Sequence, residues 1–285
     1  MAILPAVPAF STTIVVNGEP ADEYQPPHIP IPYDAGFENV PRTRCFIASE
    51  TGQSYSIRFR LSPHFNFGEN TDTLLVSTYI DGNLIEESLV FKSLVREQDF
   101  IEYISHRTRE YADGNRITET FSFQDLVPTE CTTAATLRAD MQLVKTLGTI
   151  RVVLTSAKTL DYDPKHGPLH DASGEAESIG PLQVSTKALI LNGNGQTHGT
   201  GFQQVDDPVH FGYYDVEVRE AIGCFDFVYL SPDTLAAQKI LDPAHINQAA
   251  QGMPQTLEPA PEPPRYAVRT MSNGCLEIDL TGEDE

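Results

Sequence analysis

The spacing of two histidines is the first feature of this sequence that could indicate metal or catalytic chemistry. His166 and His170 stand four positions apart, a spacing that would place two metal ligands on one face of a helix. A glycine and a proline lie between them and disfavour that helix, so we expect no metal site. His198 and His210 stand in polar contexts that are typical of surface or core-edge histidines.

The glycine-rich segment LNGNGQTHGTG, residues 191–201, is the next candidate for chemistry. It has neither the lysine nor the glycine spacing of phosphate-binding loops, so we interpret it as a turn or bulge region. The sequence contains no nucleophile elbow and no zinc-protease signature. We therefore expect no catalytic residues, no cofactor and no enzymatic activity.

Positive charge is concentrated in the segment HRTREYADGNR, residues 106–116. Four basic residues share a predicted hairpin there: His106, Arg107, Arg109 and Arg116. Such a cluster could bind an acidic ligand. We favour the alternative, in which these side chains pair with Glu102, Glu110 and Glu119 on a solvated sheet face.

Apolar and acidic residues alternate near the C-terminus, in LEIDLTGEDE, residues 276–285. In an extended chain Leu276, Ile278 and Leu280 lie on one side, with Glu277 and Asp279 opposite. A strand of this kind can bind a partner by adding to the edge of its sheet, where main-chain bonds provide affinity and alternate side chains provide specificity.

The stretch IDLT followed by acidic residues resembles a SUMO-interacting motif. The resemblance implies that the apolar side chains enter a groove of SUMO while the trailing acidic residues meet its basic rim. It implies these partner-binding residues: Leu276, Ile278, Asp279, Leu280, Thr281, Glu283, Asp284 and Glu285. The motif usually has an aliphatic residue where Glu277 stands, so we expect weaker binding or a shifted register.

A structural interpretation of the same segment is equally open. RYAVRTM and CLEIDL flank Ser272-Asn273-Gly274, so residues 266–280 could form the last hairpin of the domain.

The composition is strongly acidic, with 19 Lys+Arg against 40 Asp+Glu and a formal net charge of −21. This charge repels nucleic acids and anionic membranes, and it makes basic proteins possible partners. The four cysteines are scattered, so we expect reduced thiols. The N-terminus is a poor signal peptide and no apolar stretch approaches a membrane span, so we expect an intracellular protein, nuclear or cytoplasmic.

The apolar and polar residues of most of the chain alternate with period two. In SYSIRFRLS, Tyr55, Ile57, Phe59 and Leu61 alternate with polar residues, which predicts a strand with one wet face. The pairs Asn17-Gly18, Asp81-Gly82 and Asp113-Gly114 predict hairpin turns between such segments. TKALIL, residues 186–191, is a weaker strand candidate.

Helix signals occur in two segments. SPDTLAAQKIL, residues 231–241, has Ser231 placed to cap and Pro232 at the first helical position, with Leu235, Ile240 and Leu241 available to pack. TTAATLRADMQLVKTL, residues 132–147, has apolar residues at helical spacing. The proline-rich residues 20–41 are expected to run extended over a sheet.

Several segments together resemble a fungal family known as a domain of unknown function. They are VVNGEPADEY, YIDGNLI, LGTIRVVL, KALILNGNGQTHGTGF and FDFVYLSPDTLAAQKILDP, in that order between Ile14 and Pro243. The resemblance implies a β-sandwich without recognised catalytic residues.

We therefore predict an all-β protein: an antiparallel β-sandwich with one or two short helices and a flexible C-terminal tail. The domain spans residues 10–252, and residues 253–285 form a proline-rich linker and an acidic peptide. We expect a non-enzymatic interaction module whose partner is SUMO or a SUMO-modified protein. The alternatives are an acidic chaperone-like binder of basic proteins, or a β-sandwich protein whose last strand is purely structural.

Overall fold

A computed structural model describes residues 1–25, 37–110, 116–130, 133–162, 182–192, 195–205, 214–241, 267–270 and 276–279. Contacts divide the chain into two compact units, Met1–Pro243 and Ala244–Glu285. The second unit contains a small hairpin, and the first contains the remaining elements.

The described strands, in chain order, are β1 (Ala2–Leu4), β2 (Val7–Val16), β3 (Glu19–Pro20), β4 (Arg42–Ala48), β5 (Ser54–Leu61), β6 (Thr73–Ile80), β7 (Asn83–Phe91), β8 (Phe100–Ile104), β9 (His106–Glu110), β10 (Arg116–Asp125), β11 (Val127–Thr129), β12 (Thr149–Tyr162), β13 (Gln183–Ser185), β14 (His198–Val205), β15 (Tyr214–Leu230), β16 (Ala267–Thr270) and β17 (Leu276–Asp279). The α-helices are α1 (Ala134–Thr146), α2 (Thr186–Asn192) and α3 (Pro232–Ala237), and a 3-10 turn spans Lys92–Val95.

Two large sheets form the first unit. Sheet A has eight strands in the order β1-β2-β5-β10-β14, and β3, β8 and β9 pair with β2, β5 and β10. Sheet B has the order β4-β15-β12-β6-β7. Its pairs are antiparallel except for β4, which runs parallel to β15. The all-β sandwich predicted from the alternating segments is confirmed.

Aromatic side chains form the contact between the two sheets. The Phe10 ring of sheet A stacks on Phe59, with ring centroids 5.7 Å apart, and lies 5.4 Å from Phe225 of sheet B. All three side chains are fully buried. The alternation in β5 places Tyr55, Ile57, Phe59 and Leu61 in this core, as expected for a strand with one face against a second sheet.

Two of the predicted turns adopt the backbone conformation that their residues favour. Asn17 and Gly18 have φ values of 50° and 87°, and Asp81 and Gly82 have 51° and 83°. Positive φ at both central positions is the requirement of the tight hairpin turn that matches strand twist. The third predicted turn, Asp113-Gly114, lies outside the described residues, although β9 and β10 pair as predicted on either side of it.

The helices agree in part with the sequence patterns. In α1, the Thr133 side chain caps by accepting a bond from the Thr136 amide. In α3, Ser231 caps through the Thr234 amide at 3.3 Å, and Leu235 is fully buried. The helix ends at Ala237, earlier than its apolar pattern indicated, and Ile240 is only half-buried.

The predicted strand TKALIL is wrong: these residues begin α2. Ala188 is fully buried in a small cluster with Val144 and Leu147, at the end of α1. Packing of α2 on α1 therefore decides the conformation, because a short apolar run has no periodicity that separates helix from strand. Among the described residues, no helix has the length and apolarity to cross a membrane.

A buried carboxylate links the two sheets at the tip of the β6–β7 hairpin. Asp81 accepts a hydrogen bond from the Tyr229 hydroxyl at 2.7 Å and from the backbone amides of Gly148 at 2.7 Å and Thr200 at 2.9 Å. Tyr229 belongs to sheet B and Gly148 directly precedes β12 of that sheet, whereas Thr200 belongs to sheet A. Burial raises the pKa of the Asp81 carboxyl, and these donors oppose the shift.

The hydroxyl chain behind Asp81 has a fixed direction. Because Tyr229 donates its only hydroxyl proton to Asp81, its oxygen accepts from Thr200, 3.0 Å away. Thr200 in turn accepts from the Tyr55 hydroxyl at 2.7 Å. The chain therefore runs from sheet A to the carboxylate, and every hydroxyl in it is satisfied.

We expect Tyr229→Phe to destabilise the first unit by about 1.5–3 kcal/mol, because it removes a donor to a buried carboxylate. The matched control is Tyr55→Phe, which removes a neutral hydroxyl bond at the other end and should cost only about 0.5–1.5 kcal/mol. Urea unfolding at neutral pH measures both. Equal losses in the two variants would contradict the charge-assisted role of Tyr229.

Candidate functional site

A pocket of about 360 Å³ lies where edge strand β7 of sheet B meets β8 of sheet A. Its walls include Glu86 and Glu87 from β7, Glu102 from β8 and His106 at the start of β9. The Ser88 hydroxyl donates to Glu102 at 2.8 Å and so joins the two strands across the seam.

One side of this pocket is aromatic. Phe91 and Tyr214 meet edge to face, with ring centroids 4.7 Å apart, and Tyr103 also lines the space. The pocket thus combines apolar walls with a few convergent polar groups, the usual composition of a small binding site.

The carboxyl groups of the pocket have altered proton affinities. Burial, followed by repulsion from Glu102 and Glu87, raises the pKa of Glu86 to about 7. Burial also raises the pKa of Glu102, and the bond from Ser88 opposes that shift. A cation in the pocket would relieve the repulsion between these groups, because an opposite charge favours the ionised carboxylate.

The sequence contained a weak signal for this pocket. Glu86 and Glu87 stand inside the predicted strand LIEESLVF, where two adjacent acidic residues cannot both face solvent. The sequence pattern predicts Glu102 as an ion-pair partner of the nearby arginines, whereas in the structure Glu102 accepts a hydrogen bond from Ser88.

In its described part the basic hairpin contains a largely buried ion pair, so the sheet face is not solvated there as predicted. Arg107 and Glu119 are directly opposite on β9 and β10, and the Arg107 Nε lies 2.6 Å from a Glu119 oxygen. The same guanidinium covers the Phe202 ring at 3.2 Å. Arg107 therefore pairs with Glu119, which is the interpretation favoured above over a ligand site.

A second arginine cluster was not predicted. Asp226 is buried on β15 and lies 2.6 Å from Arg42 and 2.8 Å from Arg151, with Arg44 at 3.7 Å. Phe37 covers Arg151 with its ring centroid 5.6 Å from the guanidinium carbon. Phe37 and the bridge between Tyr24 and Phe46 place both described ends of the proline-rich segment against sheet B.

His198 has the partners of a catalytic triad without its accessibility. Its Nδ1 lies 3.2 Å from the Ser49 hydroxyl, and its Nε2 lies 3.4 Å from an Asp125 oxygen. Ser49 is 0% exposed, so no substrate can reach its oxygen. Burial lowers the pKa of His198. The core-edge interpretation fits this residue, whereas His166, His170 and His210 lie outside the described residues.

The candidate recognition peptide is described in part. Leu276, Ile278 and Asp279 belong to β17, which pairs with β16 as a two-stranded sheet. The other predicted binding residues lie outside the described residues: Leu280, Thr281, Glu283, Asp284 and Glu285. Their partner-binding role stays a prediction.

Two of the four cysteines lie in the described part of the chain. Cys45 and Cys224 are buried cysteines, and burial raises the pKa of Cys45 to about 11. Among the described residues, no group of three or more His, Cys, Asp or Glu could hold a metal ion.

Comparison with known families identifies the body of the protein. Residues 9–243 match the family described as Domain of unknown function (DUF7918). The chain belongs to the DUF7918 family. No curated protein and no solved structure matched it. The resemblance to a domain of unknown function, inferred from segments between Ile14 and Pro243, is thus confirmed.

The DUF7918 match separates the two candidate sites. It includes the pocket between β7 and β8, and it ends at residue 243, before β16 and β17. The division of the chain by contacts falls at the same place, after Pro243. The recognition peptide therefore lies outside the matched DUF7918 domain.

We expect Glu86→Gln to stabilise the protein at pH 8 by about 1–2 kcal/mol and to have a smaller effect at pH 5.5. The folded-state pKa of about 7 exceeds the usual value, so the folded protein binds this proton more tightly than the unfolded chain. The resulting stabilisation is present below the unfolded pKa and is lost as pH rises through about 7. Glutamine mimics the protonated form at every pH.

Urea unfolding at the two pH values measures this difference, with Glu220→Gln on an exposed part of β15 as the control. A benefit of Glu86→Gln that is the same at both pH values would contradict the raised pKa.

Proposed function

We propose that the protein is a non-enzymatic interaction protein whose C-terminal peptide binds SUMO or a SUMO-modified partner by strand addition. The DUF7918 domain serves as the folded body. The binding residues are those of the motif between Leu276 and Glu285, with Ile278 and Leu280 as the central groove contacts.

The conformation of Leu276–Asp279 is the observation that carries this proposal. These residues form a strand in a two-stranded sheet of their own. An extended backbone is the form in which a peptide adds to a sheet edge, and period-two alternation separates its apolar and acidic residues by face.

The cellular location and the source of the protein are also part of the proposal. SUMO attachment is a modification of intracellular proteins, so we place the protein inside the cell and favour the nucleus. We also propose a fungal source, because the segment pattern resembles that of a fungal family.

We expect the change of Ile278 and Leu280 together to alanine to abolish binding, because it removes both central apolar contacts. Titration calorimetry with purified SUMO should give a Kd of about micromolar order for the unmodified protein, since a short peptide loses conformational entropy on ordering. The melting temperature of the DUF7918 domain should be unchanged.

Variants of the acidic residues at the C-terminal end serve as the control for the double alanine variant. Replacing Glu283, Asp284 and Glu285 by their amides should weaken binding only partly and flatten its salt dependence, because charges at an exposed rim are screened. If the double alanine variant melts markedly lower and the unmodified protein does not bind SUMO, the last strand is structural and the proposal is wrong.

The pocket between β7 and β8 favours a second candidate function, the binding of basic proteins. Glu86, Glu87 and Glu102 would pair with a lysine or arginine side chain whose aliphatic part packs on Phe91 and Tyr214. The net charge of −21 would attract such partners over a distance and accelerate association.

A histone-tail peptide distinguishes the two functions. If the pocket is the site, binding survives truncation after Gly274, falls steeply with salt and is lost when Glu86 and Glu102 are both changed to glutamine. Binding of SUMO that is lost on truncation and kept in the glutamine variant supports the C-terminal peptide instead.

A further inference from the structure

The backbone register pairs β16 with β17 along their whole length. Ala267 is opposite Asp279 and Val268 is opposite Ile278, whereas Arg269 is opposite Glu277 and Thr270 is opposite Leu276. Each motif residue of the described strand therefore has a residue of β16 opposite it.

The pairing also determines which edge of β17 a partner can use. A strand has two hydrogen-bonding edges, and β16 is bonded along one of them for the whole length of Leu276–Asp279. A partner strand that adds without displacing β16 must pair with the other edge. The result is a continuous sheet in which β17 lies between β16 and the partner.

Pairing with β16 reduces the entropy that β17 loses on binding. A free peptide must fix each backbone residue when it binds, at a cost of about 1–2 kcal/mol per residue. An isolated two-stranded hairpin is marginally stable, so it is populated only partly, and the apparent affinity scales with that population.

We propose that Ala267–Thr270 is an intramolecular template that pre-forms the recognition strand, so that the functional unit is the pair of strands Ala267–Thr270 and Leu276–Asp279 and not the terminal peptide alone. This inference rests on the proposed binding of SUMO by β17. It assigns to β16 a positioning role that the motif pattern does not include.

The test is the change of Val268 and Arg269 together to proline in the full chain. Successive amides of a strand point to opposite edges, so one of the two prolines removes an amide that faces β17. The control changes Leu257 and Arg265 to proline, the same kinds of residue in the preceding segment. Calorimetry with SUMO should show binding weakened about five- to tenfold by the strand variant and unchanged by the control.

A second measurement is independent of SUMO. Nuclear magnetic resonance of the unbound protein should show cross-strand contacts between residues 268–270 and 276–278, and the strand variant should lose them. Equal SUMO affinity of the strand variant and the unmodified protein would overturn the template role alone. Tighter binding by the strand variant would also overturn it, because β16 would then compete with the partner. An unmodified protein that does not bind SUMO overturns the proposed function and the inference together.

Discussion

The Asp81 carboxylate is the constraint on which one end of the sandwich depends. It lies at the tip of the β6–β7 hairpin, in a left-handed backbone conformation, and it receives donors from both sheets. A buried carboxylate is costly unless several donors satisfy it, so each of these groups must be in place together. These bonds therefore tie the β6–β7 hairpin to sheet A at Thr200, and the bond from Ser88 of β7 to Glu102 of β8 is a second link.

The acidic pocket lies beside β7 of the same hairpin. Glu86 and Glu102 face a shared space because edge strands of two different sheets meet there, with Ser88 and Glu102 bonded across the seam. Two nearby carboxylates with raised pKa values lower the stability of the folded protein at neutral and higher pH. Residues that lower the stability of the folded state are concentrated at the functional sites of proteins, and this supports a binding role for the pocket.

The protein combines a family domain with a peptide beyond it. The DUF7918 match and the first compact unit end at residue 243, and the hairpin of β16 and β17 belongs to the second unit. Prolines in the sequence EPAPEPP separate the two, and proline cannot contribute an amide to a sheet ladder. Recognition by the peptide can therefore be tested without changing the core of the domain.

The sequence by itself determined most of the long strands, two of the hairpin turns and the start of α3. These are local properties: alternation predicted β5, Asp81-Gly82 predicted its turn, and Ser231 predicted the cap of α3. Local pattern failed for TKALIL, where burial of Ala188 in the cluster beside α1 accompanies a helix. It could not reveal the pocket or the arginines around Asp226, because the joined residues come from separate strands. Ser88 and Glu102 are 14 positions apart and Arg42 and Asp226 are 184 apart. Only the pairing and packing of the sheets brings such groups together, since no local periodicity specifies which strands become neighbours.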